Sequence, residues 1–584
     1  MHSVLAAAPL LAATALAAPA APAKYDYIIV GGGTSGLVVA NRLSELSNVT
    51  VAVIEAGGSV FTNENVTNPN GYGLAFGTDI DWAYESVNQT YGGGKTQTLR
   101  AGKALGGTST INGMAYTRAE DAQIDAWEKI GNKGWNWASL LEYYKKSETV
   151  QVPDADQQAG GATYDAAYHG TSGPLKVGWK NQMMNVSFPE VLNATYKANN
   201  VPYLQDIAGG HMAGWNVFPS TLDVALNVRE DAARAYYYPF QNRTNYRVFL
   251  NTEAQKLVWA QSGGADDTAT ASGVEVKDST GKTRTIYANK EVILSAGSLR
   301  SPVLLELSGV GNPDILKAAG VATKVALPSV GENLQDQTNN GFDGTAAKSF
   351  SGTAVNVAYP DVEDIFGNQT AAVAASVKKQ LSSWAAAASN VSNGAISAAA
   401  HKRFFDIQYD LIFKDKVPLA EILIYPTGSA FSAEFWSLLP FARGNVHIDT
   451  SPTSAPRINP NYYQFDWDMT EQVGTAKYVR QLFATSPLKP LLANETAPGA
   501  GVRTDAELAR WVLDNYRSNF HPVGTTAMLP RALGGVVDPS LRVYGTANVR
   551  VVDAGVLPFQ VCGHLVSTLY AVAEKAADII KAEA

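Results

Sequence analysis

Residues 25–36 read YDYIIVGGGTSG, and this stretch decides the fold. Its first six residues form an apolar, β-branched run that is typical of a short strand. Three glycines follow at the GxGxxG spacing, and apolar residues at helical spacing come next. A second apolar run at 49–54 predicts another strand, and Glu55 follows it directly. We therefore predict a Rossmann-like opening unit whose acid accepts ribose hydroxyls.

The glycines and the helix start have separate physical roles. Gly31 permits the tight turn, Gly33 lets the backbone approach a pyrophosphate, and Gly36 lets helix and strand pack closely. The amides around Thr34 and Ser35 face the phosphates at the positive end of the helix. A GxGxxG pattern alone occurs in many loops, but with two strands and a helix around it the pattern indicates a dinucleotide site. NAD and FAD share this cradle, so these residues leave the choice between them open.

Composition narrows the class of protein further. The chain has 584 residues, 53 acidic against 45 basic, and a net charge of −8. A single hydrophobic core stops growing at about 250–300 residues, so we predict more than one domain. The acidic balance argues against a nucleic-acid partner, because phosphate backbones need a concentrated Lys/Arg surface. One cysteine, Cys562, excludes a disulfide framework and a Cys-based zinc site, and we assign no metal ligands.

The N-terminus predicts export. Residues 1–23 contain no Lys, Arg, Asp or Glu, and an apolar run leads into small residues, so we interpret 1–18 as an approximate signal peptide. Its basic start is missing, and a membrane anchor is the competing interpretation, but the apolar run is shorter than the ~20 residues that span a bilayer. Asn-x-Ser/Thr sequons begin at Asn48, Asn65, Asn88, Asn185, Asn193, Asn242, Asn368, Asn390 and Asn494. We expect a secreted, extracellular glycoprotein with no membrane partner.

Five further motifs stand along the chain. They are GKALGGTSTINGMAY at 102–116, GSLRSPVLLELSGVG at 297–311, NFHPVGT at 519–525, VVDA at 551–554 and CGH at 562–564. In sequence and order they resemble the motifs of the glucose–methanol–choline oxidoreductase family, which binds FAD. The resemblance runs from about residue 24 to the C-terminus and implies that FAD is the cofactor.

Three more stretches carry a narrower likeness, NGYGLAF at 70–76, EFW at 434–436 and YRSNFH at 516–521. They resemble the secreted fungal FAD-dependent glucose dehydrogenases, a branch of the family. The implied fold is α/β (α+β overall), with a discontinuous Rossmann-like FAD-binding domain and a substrate-binding domain of antiparallel sheet and helices. The implied FAD-binding segments are 24–115, 240–335 and 530–584, and the substrate-binding segments are 116–239 and 336–529. From its Asp, Gly and Ser content we predict that 261–282 is a surface excursion.

The resemblance also assigns cofactor contacts by position. Glu55 takes the adenosine ribose, and the segment from Gly107 to Ala115 lies along the flavin. Further implied contacts, in chain order, are Thr108, Asn112, Gly113, Met114, Ala254, Gly297, Asp553, Ala554, Leu565 and Val566. Leu565 and Val566 open a helix whose positive N-terminal end points at the ring in this family.

Two histidines are the candidate catalytic residues. Oxidising an alcohol requires a base for the hydroxyl proton, and histidine supplies a neutral base because its ordinary pKa is about 6.5. The resemblance implies that His521 and His564 meet at the reactive edge of the flavin. We assign His521 as the base and His564 as the group that hydrogen-bonds the same oxygen. His169, His211, His401 and His447 have no motif around them, and we predict structural roles for these four.

The resemblance implies that a sugar is the substrate. Tyr72, Glu434, Arg517 and Asn519 are the candidate sugar-binding residues, although Glu434 and Arg517 also suit a solvated surface. The leading hypothesis is oxidation of the C1 hydroxyl of glucose to gluconolactone, with hydride transfer to flavin N5 and electrons passed to a quinone-like acceptor. An oxidase that uses oxygen in the same pocket is the alternative. A FAD-bearing lyase or a redox-silent binder is the third hypothesis.

Overall fold

The computed structural model describes residues 24–184, 187–261, 268–450 and 455–583. The predicted signal peptide and the sequon at Asn185 lie outside these residues. Within these ranges, none of the helices combines the length and the hydropathy that a membrane span needs.

A seven-stranded sheet forms the centre of the nucleotide-binding half. Its strands, from one edge to the other, are Tyr246–Phe249, Val51–Ile54, Lys24–Val30, Thr283–Leu294, Ala271–Asp278 and Thr252–Trp259, and Val549–Val551 also pairs with Thr283–Leu294. Val549–Val551 and the first four of these strands run parallel, and the last two strands pair antiparallel. The parallel strands are apolar and buried because helices cover them. Their carboxyl ends therefore meet at one edge, where α/β sheets bind ligands.

One helix packs against this sheet directly after the glycine turn, and a second helix packs against the first. Thr34–Leu43 starts immediately after Gly31-Gly32-Gly33, as predicted, and the C-terminal helix Leu565–Glu583 lies against it. Arg42 joins the two through hydrogen bonds of 2.8–3.0 Å to the carboxylate of Glu574, which is fully buried. The two ends of the chain thus build one layer.

A six-stranded antiparallel sheet forms the other half. Its strands are, in order, Leu492–Ala497, Thr338–Phe350, Ala420–Ser437, Val357–Tyr359 and Gly214–Asn216, and Arg517–Ser518 also pairs with Thr338–Phe350. Further helices are Asp121–Ile130, Trp137–Ser147, Ala155–Ala159, Ser187–Ala198, Ala232–Tyr236, Val362–Phe366, Thr370–Val391, Ala398–Phe413, Asp466–Ala484 and Asp505–Asn515. Of these, Trp137–Ser147 packs against Leu565–Glu583, and Ala232–Tyr236 packs against Thr34–Leu43. The mixed α/β fold class predicted from the sequence is confirmed.

Smaller elements complete the chain. Four small sheets join Val310–Gly311 with Val325–Ala326, Tyr84–Glu85 with Thr98–Leu99, Glu332–Leu334 with Gly444–His447 and Arg457–Asn459, and Glu148–Val150 with Leu175–Gly178, Ser220–Asp223 and Val228–Arg229. The remaining helices are Glu64–Thr67, Ser301–Leu307 and Pro313–Ala318, and the 3-10 turns are Gly107–Thr110, Tyr238–Phe240, Gly367–Gln369, Lys489–Leu491, Arg531–Leu533 and Ala554–Val556.

The prediction of a surface excursion at 261–282 is wrong for most of the described part of that segment. Ala271–Asp278 is a strand of the central sheet, paired on both sides and buried at Val274 and Val276. Its alternation of small, polar and β-branched residues is a strand pattern that the local Asp, Gly and Ser content obscured.

Candidate active site

A cavity of about 710 Å³ lies between the carboxyl edge of the central sheet and the six-stranded sheet. At one end Glu55 and the glycine turn line it, and at the other end His521 and His564 do. Except for Gly36 and Arg517, every site residue predicted from the sequence lines this cavity. Residues far apart in the sequence thus share one space of the size that proteins use for cofactors and ligands.

The three glycines of the turn are needed for different reasons. Gly31 has φ +108°, and a Cβ atom there would lie 2.3 Å from the carbonyl oxygen of Ser295. A Cβ atom on Gly36 would lie 2.0 Å from the carbonyl oxygen of Gly31. A Cβ atom on Gly33, in contrast, would meet only the Cα of Gly107, at 3.7 Å. Packing explains Gly31 and Gly36, whereas at Gly33 the free space is what a close pyrophosphate needs.

The helix behind this turn offers an anion site. Its N-cap residue, Gly33, has no side chain to cap the first amides, and no acidic residue stands in the first turn. The backbone amides around Thr34 and Ser35 are therefore available to phosphate oxygens at the positive end of the helix dipole.

Glu55 lies where the ribose is expected. Its two carboxylate oxygens accept hydrogen bonds from the amides of Gly32 at 2.9 Å and Gly57 at 2.7 Å. Burial raises the pKa of Glu55 to about 7. A carboxylate has about four acceptor positions, so two remain for ribose hydroxyls on the side that faces the cavity.

The segment from Gly107 to Ala115 forms the floor of the cavity. Gly107 has φ +54°, and a Cβ atom there would lie 2.6 Å from the Cα of Gly33, so the two predicted segments touch through their backbones. Asn112 Oδ1 accepts from the guanidinium of Arg229 at 2.7 Å and from the amide of Met114 at 3.1 Å. Met114 has φ +63°, a strained conformation for a side chain of its size. Thr108, Gly113 and Ala115 also line the cavity.

Asp553 joins the C-terminal segment to the turn at Gly297 through hydrogen bonds. Its carboxylate accepts from the amide of Gly297 at 2.9 Å, from Ser301 Oγ at 2.6 Å and from the amide of Gly555 at 2.8 Å. Because protein donors occupy these oxygens, Asp553 fixes the turn at Gly297, where a Cβ atom would enter open space. The predicted contacts Ala254, Ala554, Leu565 and Val566 line the same cavity.

His521 is a half-buried, neutral imidazole. Burial lowers its pKa well below the usual value, and the nearby His564 and Arg517 add to this effect. The side-chain amide of Gln337 donates to the carbonyl of Leu438 at 3.3 Å, and its Oε1 lies 2.8 Å from Nδ1 of His521. The amide nitrogen of Asn519 also lies 3.1 Å from Nδ1, but it has Gln337 Oε1 as an acceptor at 3.4 Å. The shorter contact to Gln337 favours the proton on Nδ1, which leaves the lone pair on Nε2.

Asp336 fixes the loop that carries His521. Its oxygens accept from the amide of His521 at 2.9 Å, from Ser518 Oγ at 2.5 Å and from the hydroxyl of Tyr462. Asp336 is fully engaged and buried, and burial raises its pKa. Asp336 and Gln337 are site residues that the sequence analysis missed, because no local pattern marks them.

His564 approaches His521 from the C-terminal helix. The two ring centroids lie 5.6 Å apart, and the rings are perpendicular. His564 Nε2 is 2.9 Å from Glu421 Oε1, although the angle is not that of a hydrogen bond. Among the described residues, neither oxygen of Glu421 has a hydrogen-bond donor. The buried carboxylate of Glu421 therefore lies against the ring of His564.

A polar wall faces the histidines. Arg517 and Glu434 form an ion pair at 2.7 Å. Asn339 donates to Glu434 at 3.3 Å and to the side-chain oxygen of Asn519 at 2.9 Å. Adjacent strands hold these residues in register, and Tyr72 stands at the mouth with 48% of its surface exposed. Such a row of directed donors and acceptors suits a molecule with several hydroxyl groups.

The other four histidines within the described residues do not line the cavity. His169 bridges Glu148 and Asp206, and His447 bridges Glu306 and Glu332. His401 is buried, and His211 has 79% of its side chain exposed.

A dinucleotide cradle joined to a neutral imidazole and a hydroxyl-binding wall defines an oxidoreductase that acts on alcohols. The GMC oxidoreductase family models match residues 25–339 and 440–573. The chain belongs to the GMC oxidoreductase family. Family membership and FAD as the cofactor, both predicted from the sequence, are thereby confirmed.

Relatives and solved structures agree with this placement. The chain is 46% identical over 566 residues to "Glucose oxidase-like protein fsoC" of Humicola fuscoatra, covering 96% of each chain. It is 35% identical over 572 residues to a glucose oxidase of Aspergillus carbonarius, covering 96% of this chain and 92% of that protein. An FAD-dependent oxidoreductase from Chaetomium thermophilum superposes with a TM-score of 0.88 at 28% identity, covering 96% of this chain and 99% of that chain.

Proposed function

We propose that this FAD-dependent enzyme oxidises the C1 hydroxyl of glucose to gluconolactone and passes the electrons to a quinone-like acceptor. The observation that carries the proposal is that the neutral His521 lines one cavity together with Glu434 and Asn519, and that Glu434 is held by its ion pair with Arg517. FAD, when bound, supplies the acceptor for the hydride.

His521 is proposed as the base. With the proton on Nδ1 and held by Gln337, Nε2 is free to take the proton of the sugar hydroxyl. Because the ring is half-buried and neutral, it is ready for this step at neutral pH. His564, backed by the carboxylate of Glu421, is proposed to donate to the same oxygen and to stabilise its developing negative charge.

The polar wall is proposed to select the substrate. Arg517 and Asn519 donate to sugar hydroxyls, and Glu434 accepts from them. A site that hydrogen-bonds a hydroxyl rejects an analogue without it by about 10⁴–10⁵-fold, because its buried partners are then left unpaired. Tyr72, at the mouth, contacts the outer side of the sugar.

An oxidase is the second candidate function. The glucose oxidase of Aspergillus carbonarius, 35% identical, favours it. The dehydrogenase proposal follows the resemblance of residues 70–76, 434–436 and 516–521 to the fungal glucose dehydrogenases. The two differ in what reoxidises the enzyme, so we test them by the rates of reoxidation in air and with a benzoquinone.

One experiment tests the proposed reaction. The yellow holoenzyme is mixed without oxygen with a panel of sugars and alcohols, and loss of flavin absorbance is followed in time. We expect glucose to bleach the flavin fastest among the neutral sugars and alcohols. Faster bleaching by another neutral substrate overturns the sugar assignment, and a flavin that stays yellow throughout indicates the lyase or the redox-silent binder.

We also propose that the enzyme is secreted and glycosylated. Of the sequons within the described residues, seven asparagines are exposed: Asn48, Asn88, Asn193, Asn242, Asn368, Asn390 and Asn494. Asn65 is half-buried. Treatment of the secreted protein with an N-glycosidase should lower its mass. We likewise propose the domain division given above, since the strands of the seven-stranded sheet fall in the segments 24–115, 240–335 and 530–584.

A further inference from the structure

A cation lies at the histidine end of the cavity and has no part in the proposal above. Lys180 follows the strand Leu175–Gly178 and lines the cavity. This strand pairs antiparallel with Ser220–Asp223, with Gly178 opposite Ser220. The same register, continued two residues beyond Gly178, places Lys180 opposite Phe218. The ring of Phe218 also lines the cavity, 6.4 Å from the ring of His564. Lys180 therefore lies near the reacting end of the cavity, away from the ribose end.

The charge of Lys180 is not balanced within the described part of the chain. No carboxylate there forms an ion pair with it, and the charged group that acts on it is Arg229, another buried cation. Burial and this neighbour lower the pKa of Lys180 to about 8. Of the other charged groups near this end, Arg517 and Glu434 cancel each other in their ion pair, and the buried carboxylate of Glu421 lies against His564. A half-buried ammonium group without a partner favours an anion beside it.

We propose that Lys180 is a specificity-determining residue that binds the carboxylate of a sugar acid, a second class of substrate beside glucose. The inference rests on the proposed function in placing the reacting C1 hydroxyl at His521. A carboxylate fits better than a phosphate, because one ammonium group offsets one negative charge. A hexuronic acid has both groups on one ring. Its oxidation is the same two-electron step, in which C1 loses a hydride to FAD and its hydroxyl loses a proton, while the carboxylate keeps its bonds.

Two methyl glycosides test this without turnover. Methyl β-D-glucopyranoside and methyl β-D-glucopyranosiduronate are blocked at C1 and differ only in CH₂OH against carboxylate at C6. Binding to the holoenzyme is measured by calorimetry at mildly acidic pH, where Lys180 is protonated. We expect the uronate to bind about 10- to 100-fold more tightly than the neutral glycoside, the range for a hydrogen bond to a charged group. Lys180→Met should remove this preference and leave the affinity for the neutral glycoside unchanged.

Two variants control the comparison. Lys180→Arg keeps the charge and should keep the preference for the uronate. Lys197→Met removes a charge of the same kind from the exposed side of helix Ser187–Ala198 and should change neither affinity. Equal affinities in the unaltered enzyme, or a Lys180→Met variant that weakens both ligands alike, would overturn the inference. Since neither glycoside is oxidised, this result is independent of whether sugars bleach the flavin.

Discussion

Replacing His521 by alanine tests the centre of the mechanism. The substitution removes the only group assigned to take the hydroxyl proton, while Arg517, Glu434 and Asn519 keep their places. A positioned acid–base group contributes about 10²–10⁴-fold in rate. At about 1.36 kcal/mol for each factor of ten, this corresponds to roughly 2.7–5.4 kcal/mol of activation free energy. We expect turnover of glucose to fall by that factor and KM to change much less, because the sugar-binding wall remains.

The assay separates loss of the base from loss of the cofactor. Anaerobic stopped-flow mixing with glucose measures the rate of flavin reduction directly, and the visible spectrum before mixing gives the flavin content. Added imidazole should restore part of the rate in His521→Ala, because it replaces the missing base. His211→Ala, which removes an exposed histidine, serves as the matched control and should behave like the unaltered enzyme.

One result would refute the reasoning. If His521→Ala binds FAD fully and reduces it at a rate within a few-fold of normal, His521 is not the base. His564 would then be the next residue to replace, since its ring faces His521 at 5.6 Å.

The remaining predictions concern pH, the cradle, the polar wall and stability. Since burial holds the pKa of His521 well below 6.5, the base protonates only in acid, and kcat/KM should fall at pH values well below 6.5 and stay level above them. Gly36→Ala places a Cβ 2.0 Å from the Gly31 carbonyl and should lower the ratio of bound flavin to protein, whereas Gly501→Ala, with no atom within 4 Å, should not. Glu434→Gln breaks the ion pair with Arg517 and should lower kcat/KM for glucose by about 10- to 100-fold, mainly through KM, with flavin content unchanged. Burial alone lowers the pKa of His447, but hydrogen bonds to Glu306 and Glu332 raise it to about 10. Its contribution to stability is thus complete below pH ~6.5 and is lost as pH rises towards 10; thermal unfolding midpoints should fall over this interval, and less steeply in His447→Gln.

The cofactor cradle could be predicted from the sequence because its residues are local. Gly31, Gly33 and Gly36 stand at fixed spacing between a strand and a helix, and Glu55 follows the next strand. The structure adds a distinction that spacing cannot give: packing requires Gly31 and Gly36, while Gly33 leaves room for a ligand.

The partners of the histidines could not be predicted in the same way. Gln337 and His521 are 184 positions apart, and Glu421 precedes His564 by more than a hundred. Each is a single polar residue on or beside a strand, with no repeat or spacing around it. Only the register of the six-stranded sheet and the return of the C-terminal helix bring these residues together. Lys180 and Arg229 were missed for the same reason.

Misjudgement of the segment 261–282 has a different cause. The number of glycine and polar residues in Ala271–Asp278 is typical of a loop. The alternating burial of the strand depends instead on the order of its residues along the chain, which a residue count does not record.

The strand Val549–Val551 has a consequence for how the enzyme is made. This strand pairs with Thr283–Leu294 in the central sheet. Asp553, two residues after the strand, accepts a hydrogen bond from the amide of Gly297 and so fixes the turn there. The phosphate-binding turn at residue 31 leaves the ribosome early, but Asp553, which holds the neighbouring turn at Gly297, is synthesised almost last. Capture of the coenzyme must therefore wait for nearly complete translation, and a chain that ends before residue 549 should accumulate as colourless apoprotein.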